Sequence, residues 1–212
     1  YVLPTAEMLL PVVAFGLSFS NVKFYTQSRA EGKHQNFLSL SLVGILVNFI
    51  IFLIGYFAVN LLFPKLQETE MWQMKRLILP LILVLAFSAV FNKYLSNFKR
   101  IAIPNIFENL LPKVANLGAF CLFFFLGFPE KAAYLFFILM FILGLFGYIY
   151  YTNRLEKLKP DFSTDYVKKD NLWKEVLNYS FYGFLGNIGN FIAVRIDSVM
   201  IGEFLGFEPN GV

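Results

Sequence analysis

Five ionisable side chains sit inside stretches that are otherwise apolar: Glu7, Glu108, Lys113, Arg195 and Asp197. A charge at the centre of a membrane helix costs about 2.5–3.5 kcal/mol on insertion scales, whereas each Leu, Ile or Phe returns only about 0.3–0.6 kcal/mol. Such side chains belong against other helices or in a wet cavity, where they attract ions or pair with one another. Arg195 and Asp197 are two residues apart, so they cannot pair along their own helix and each needs a partner elsewhere.

Neutral polar and small residues fall in line with these charges. Glu7, Pro11, Ala14, Ser18 and Asn21 share one helical face, and Ser41, Gly44, Asn48 and Gly55 trace a weaker line. Ser88, Asn92 and Ser96 follow four apart. Asn105, Glu108, Asn109, Pro112, Lys113 and Asn116 fall within about 140° of arc on one helix. Tyr182, Gly186, Asn190 and Asp197 share another face, with Arg195 pointing away from them. Asn and Ser in such lines also serve helix packing, whereas burying five ionisable groups for packing alone is costly. Glu7 and Lys113 have a further explanation, since near an interface they would snorkel to water.

The elements that carry these residues are membrane spans. Of 212 residues, 58% are hydrophobic, 19% aromatic and 15% charged, which excludes disorder and an ordinary soluble domain. Six segments are long enough to cross a bilayer, near 2–22, 37–63, 77–95, 101–128, 132–151 and 177–207. The fifth has no ionisable residue in its interior and reads as lipid-facing over most of its circumference, with Tyr148, Tyr150 and Tyr151 as an interfacial aromatic belt at the cytoplasmic side. Residues 152–171 are charged and read as a solvated linker.

Basic residues orient the spans. Lys23, Arg29, Lys33, Lys93, Lys99, Arg100, Arg154, Lys157, Lys159, Lys168, Lys169 and Lys174 fall on one side, against Lys65, Lys75, Arg76 and Lys131 on the other. The richer side should be cytoplasmic, so the first span runs from outside to inside. This arrangement calls for a preceding span, and a start at Tyr1 without methionine reads as an internal piece of a longer protein. The net charge of +4 is explained by topology, with no call for nucleic acid. Cys121, the one cysteine, excludes an intrachain disulfide and a cysteine metal site. The one histidine, His34, lies in a basic loop and reads as solvated; no Asp-x-Asp pair or activated nucleophile suggests an enzyme.

The stretch FYGFLGNIGNFIAVRIDSVMIGEFLGFEPNGV resembles the start of the second half of bacterial polysaccharide flippases, with a polar-glycine helix, an Ile-Asp followed by a hydrophobic residue and glycine, and a Phe-Leu-Gly turn. PVVAFGLSFSNVKFYTQSRAEGKHQNFLSLSL is similar to that family's second helix and basic loop, and RIAIPNIFENLLPKVANLGAFCLFFFLGF to its fifth helix. The resemblance implies the multidrug/oligosaccharidyl-lipid/polysaccharide exporter superfamily: an all-α polytopic membrane protein of 12 to 14 helices in two lobes around a cavity, of which about six are visible. Residues 1–151 would be most of the first lobe, 152–172 the cytoplasmic inter-lobe loop and 173–212 the first helix of the second lobe. The implied activity is flipping a glycan on a polyprenyl diphosphate across the bacterial inner membrane for O-antigen, capsule or exopolysaccharide assembly. Its partners would be the lipid-linked oligosaccharide, membrane lipids and polysaccharide assembly enzymes; it would need no cofactor or metal.

On that reading a cationic, wet cavity lowers the cost of desolvating the diphosphate. Lys113 and Arg195 would attract the anion, Asn105, Asn109, Asn116 and Asn190 would line the polar path, and Glu7, Glu108 and Asp197 would pair the cations or couple to H⁺ or Na⁺. The alternatives are a cation-coupled multidrug exporter of the same superfamily, a peptidoglycan-precursor flippase or a membrane-embedded glycan-modifying enzyme.

Overall fold

The computed structural model describes residues 2–100, 102–168 and 171–205, apart from the side chains at 70 and 190–205. Its order is α1 (Val2–Ala14), α2 (Leu17–Lys23), α3 (Tyr25–Ala30), α4 (His34–Leu62), a 3₁₀ turn (Pro64–Glu68), α5 (Glu70–Gln73), α6 (Lys75–Ser96), α7 (Ala102–Asn105), a π turn (Ile106–Leu110), α8 (Leu111–Phe124), α9 (Glu130–Leu155), α10 (Asp165–Lys168) and α11 (Leu172–Leu205). Among the described residues four helical stretches, His34–Leu62, Lys75–Ser96, Ala102–Phe124 and Glu130–Leu155, are long and apolar enough to cross a membrane. The bent pair α1 and α2 makes a fifth, and residues 177–205 of the last expected span fall in α11, with 206 and 207 outside the described residues. The chain is thus an all-helical, multi-pass membrane protein.

The centre of the bundle is α6, which packs against α1, α2, α4 and α9. Ile78, Leu81, Ile82, Val90, Tyr94 and Leu95 of this helix are fully buried. By contrast, α4 turns Val47, Ile50, Ile51 and Ile54 outward, as a lipid-facing helix must. The neutral polar residues expected on the first two spans hold helices together: Asn21 donates to the Ser41 hydroxyl at 2.7 Å and to the Leu17 carbonyl at 3.2 Å. Ser20 bonds Ser180 of α11 at 2.7 Å.

The first span is not continuous. It bends by 58° between α1 and α2, where Phe15 and Gly16 take φ of 44° and 70°. Left-handed backbone is strained for a phenylalanine and easy for a glycine. The bend accommodates α11: a Cβ at Gly16 would lie 2.1 Å from the Ser180 carbonyl oxygen, so no other residue allows this approach. Phe15 is held in its strained conformation by stacking on Phe184 at 5.3 Å between ring centres. Across the break, Phe15 donates to the Pro11 carbonyl and Phe19 to that of Gly16, leaving no orphaned donor at these two positions.

Two readings, that of Tyr148 and that of the loop after α9, are corrected. Ala133, Phe137, Phe141, Gly144 and Tyr148 form a buried stripe on α9 against α8 and α6, while Leu135, Leu139, Leu143, Phe146 and Tyr150 are exposed. Tyr148 is therefore a core residue, 4% exposed, and not part of an aromatic belt. Lipid and protein core are both apolar, so composition alone does not distinguish the two faces.

The loop after α9 is likewise no solvated linker in its first half. Glu156 accepts from His34 Nε2 at 2.7 Å and from the Tyr94 hydroxyl at 3.2 Å. Burial pushes the Glu156 carboxyl up, but the hydrogen bond and charge of His34, with Tyr94 and Gln35, hold it net below its ordinary value. Gln35 bonds the backbone of Lys157 and Lys159, and Asn36 donates to the carbonyls of Asp161 and Ser163. Lys33 pairs with Asp161 at 3.5 Å. His34 is thus bound in a seam, where the sequence suggests a solvated ring.

Glycine substitutions separate the causes at the bend. Gly32 also has positive φ, 68°, but nothing lies within 4 Å of its missing Cβ. Thermal unfolding of the full-length protein in detergent should show Gly32→Ala losing about 1–3 kcal/mol. Gly16→Ala should lose clearly more, because it adds the clash with Ser180; equal losses would mean that α11 does not dictate the bend.

Candidate functional site

The polar face of the fourth expected span is reorganised by proline. Pro112 has no N–H to donate to the Glu108 carbonyl, and the helix upstream widens into the π turn, in which the Leu111 N–H reaches back to the Ile106 carbonyl. One extra residue in a turn shifts register by about 100°. Residues before the turn therefore leave the face shared by those after it. Tyr148 supports this change of pitch, its hydroxyl donating to the Pro104 carbonyl at 3.1 Å while its ring packs on Phe107. Gly147 lets Phe107 in, since a Cβ there would lie 2.6 Å from that ring.

Two cavities open along the reorganised face. The larger, about 890 Å³, lies between α1, α8 and the first turns of α9, and takes its polar lining from Glu7, Glu108, Asn109, Lys113, Asn116, Glu130 and Tyr134. Phe120, Phe123, Phe124 and Phe137 supply aromatic wall. It lies at the N-terminal ends of α1 and α9, the side that the basic-residue count expects to be the outer one. The smaller, about 240 Å³, reaches deeper along α6 to Ser88, Asn92 and Tyr148. Glu7, Glu108 and Pro112 line both, so the two carboxylates stand at their junction.

Of the nine residues singled out from sequence, Glu7, Glu108, Asn109, Lys113 and Asn116 come together here. Asn105 is the exception: it lies before the π turn and lines neither cavity, its carbonyl accepting instead from the Asn109 side chain at 3.2 Å. The side chains of Asn190, Arg195 and Asp197 lie outside the described residues. The sequence reading missed Glu130 and Tyr134, one turn apart at the start of α9 with the phenol donating to the carboxylate, because they flank a span rather than interrupt it. It also did not connect Asn92 with Glu108, which it bonds at 2.8 Å across 16 residues.

The described part of the lining holds more carboxylates than cations. Among the described residues the lining carries Glu7, Glu108 and Glu130 beside Lys113 as its one cation. Lys113 is exposed to the cavity and has no carboxylate within salt-bridge distance among the described residues. Acceptor-rich carboxylates and amides beside aromatic rings suit a ligand rich in hydroxyl donors and flat C–H faces, or a cation. No group of three or more metal-ligating side chains occurs among the described residues.

Compared with known proteins, residues 1–211 match the family described as polysaccharide biosynthesis protein. No curated protein and no solved structure matches the chain.

Tyr148 gives the direct check of how this face is built. Tyr148→Phe should cost about 1–3 kcal/mol in thermal unfolding, since the Pro104 carbonyl would lose its donor in a buried seam. Tyr150→Phe, at a position 69% exposed, should cost nothing measurable; equal effects would return Tyr148 to the lipid face.

Proposed function

This chain belongs to the polysaccharide biosynthesis protein family, and from that premise we propose that it forms part of a flippase. The cargo is a glycan carried on a polyprenyl diphosphate, moved from the cytoplasmic to the outer leaflet of a bacterial inner membrane. The observation that carries this reading is the cavity of about 890 Å³ inside a membrane-spanning bundle, lined by amides, carboxylates, a lysine and aromatic rings. Its size is within the usual range for ligand pockets, roughly 300–1,000 Å³.

The physical task is to carry hydroxyls and phosphates past hydrocarbon while the prenyl tail stays in the bilayer. Asn109 and Asn116 can donate and accept with sugar hydroxyls, the carboxylates accept from them, and the phenylalanines cover the C–H faces of the rings. Lys113 is the described cation available to a phosphate, with Arg195 as the second cation of the proposal. Rocking of two lobes would expose the path first inside and then outside. Glu7 and Glu108, with Asp197, are proposed to pair these cations or to couple H⁺ or Na⁺; unchanged flipping after neutralising all three would remove that role. The protein then acts as a transporter and not an enzyme, with the lipid-linked glycan as its partner and glycan-assembly enzymes as its neighbours.

The three carboxylates in the lining also support a second reading, a cation-coupled exporter of organic cations, which acidic and apolar walls would suit.

The test uses the full-length gene in a strain lacking its polysaccharide flippase. Wild type should restore surface glycan and move the lipid-linked precursor to the outer leaflet. Lys113→Ala or Arg195→Ala at matched expression should each lower that by roughly ten- to hundredfold, as expected for loss of a charge-assisted contact. Failure of correctly inserted wild type with a matching glycan, together with raised resistance to cationic drugs, would favour the exporter.

A further inference from the structure

We propose that residues 156–163 form a releasable strap across the cytoplasmic ends of α4, α6 and α9, docked in the state seen here and undocked in another state of the same protein. The docked state is built from polar contacts over 122 to 128 residues of separation. His34, Gln35 and Asn36, in the first turn of α4, reach the side chain of Glu156 and the backbone of 157, 159, 161 and 163. Ser39, one turn further on, accepts from the Asp161 N–H at 3.3 Å. Tyr94 of α6 adds its hydroxyl to Glu156.

The seam is specific, yet it is left incomplete. Of the three buried side-chain polar atoms that lack a hydrogen-bond partner among the described residues, two lie in it, His34 Nδ1 and Asn36 Oδ1, and the third is the Tyr166 hydroxyl of α10, which follows the strap. Asn36 is only 1% exposed, so its orphaned oxygen is shut off from solvent. A buried group without a partner weakens the state that buries it, and a half-satisfied network is weaker than the number of its bonds suggests. Between the strap and α4 an open groove of about 150 Å³ is lined by Leu38, Leu42, Phe91, Leu158, Pro160 and the exposed Phe162. Outside, the Lys33–Asp161 pair is exposed at 3.5 Å and Phe162 faces outward. Contacts that are polar and partly exposed, with buried partners missing, are the marks of a segment that opens at low cost.

The strap also lies where opening has consequences. It starts at the end of α9 and leads through α10 into α11, the helix whose Ser180 backbone closes on Gly16. Docked, it ties that connection to α4; released, it lengthens the free connection to α11. Resting on the transport reading for this consequence alone, the strap would hold the cytoplasmic side in one arrangement and let go as the path changes sides.

Double electron–electron resonance on the full-length protein in nanodiscs decides whether the strap opens. Spin labels go at Phe162→Cys on the strap and Lys99→Cys beyond α6, in a Cys121→Ser background. Two distance populations are expected. Asn36→Ala and, separately, Glu156→Gln should each raise the long-distance fraction relative to the short by roughly tenfold. A single short distance in wild type and both variants would overturn the proposal. A second arm joins Gln35→Cys to Lys159→Cys by oxidation in the same background. In a strain where the unlinked pair restores surface glycan, the cross-link should abolish export and reductant should restore it; undiminished export with the cross-link formed would overturn the strap's part in transport. Where even wild type restores nothing, the flippase reading fails, while the resonance distances still decide whether the strap opens.

Discussion

Inside a bilayer no water is available to a backbone or side-chain polar group that leaves its helix, and each departure from regular geometry must be satisfied by another part of the protein. This constraint organises the whole bundle. Where α1 gives way to α2, donors at the break return to the carbonyls of Pro11 and Gly16, and the freed space receives α11 against Gly16. Where Pro112 interrupts the ladder, the turn widens and the Tyr148 hydroxyl supplies the Pro104 carbonyl. The second break borders both cavities and the first is covered by α11, so neither irregular stretch of backbone faces lipid.

The same constraint explains what the sequence made legible. Charges inside apolar runs identify the face that must avoid lipid, and Glu7, Glu108, Asn109, Lys113 and Asn116 do converge on one cavity. The neutral partners Asn21 and Ser41 sit on the same kind of stripe but bond each other in the core. Periodicity cannot separate these two outcomes, because a buried seam and a wet wall both exclude lipid. Asn105 was misplaced because helical spacing was carried unbroken past Pro112; a proline four residues after Glu108 was the available signal.

Other features were hidden for different reasons. The bend at Phe15 is dictated by a helix 164 residues further along, as the approach of Ser180 to Gly16 shows, and a single glycine in a membrane span does not announce that. The buried stripe of α9 is written in Ala133, Phe137, Phe141, Gly144 and Tyr148, yet its apolar surroundings conceal it. The pairing of His34 with Glu156 spans 122 residues, beyond any local pattern. Glu130 draws no notice in the sequence because it lies at the start of α9, where a carboxylate also suits a helix N-terminus.

The central claim is that glycan passes along the face shared by α1 and α8. It is tested most directly by placing a photo-reactive amino acid at Asn116, on that face, and at Val47, on the exposed side of α4, in full-length protein that restores surface glycan. Irradiation should attach the lipid-linked oligosaccharide at 116 and not at 47. Equal labelling at both positions, or labelling at 47 alone, would contradict the account.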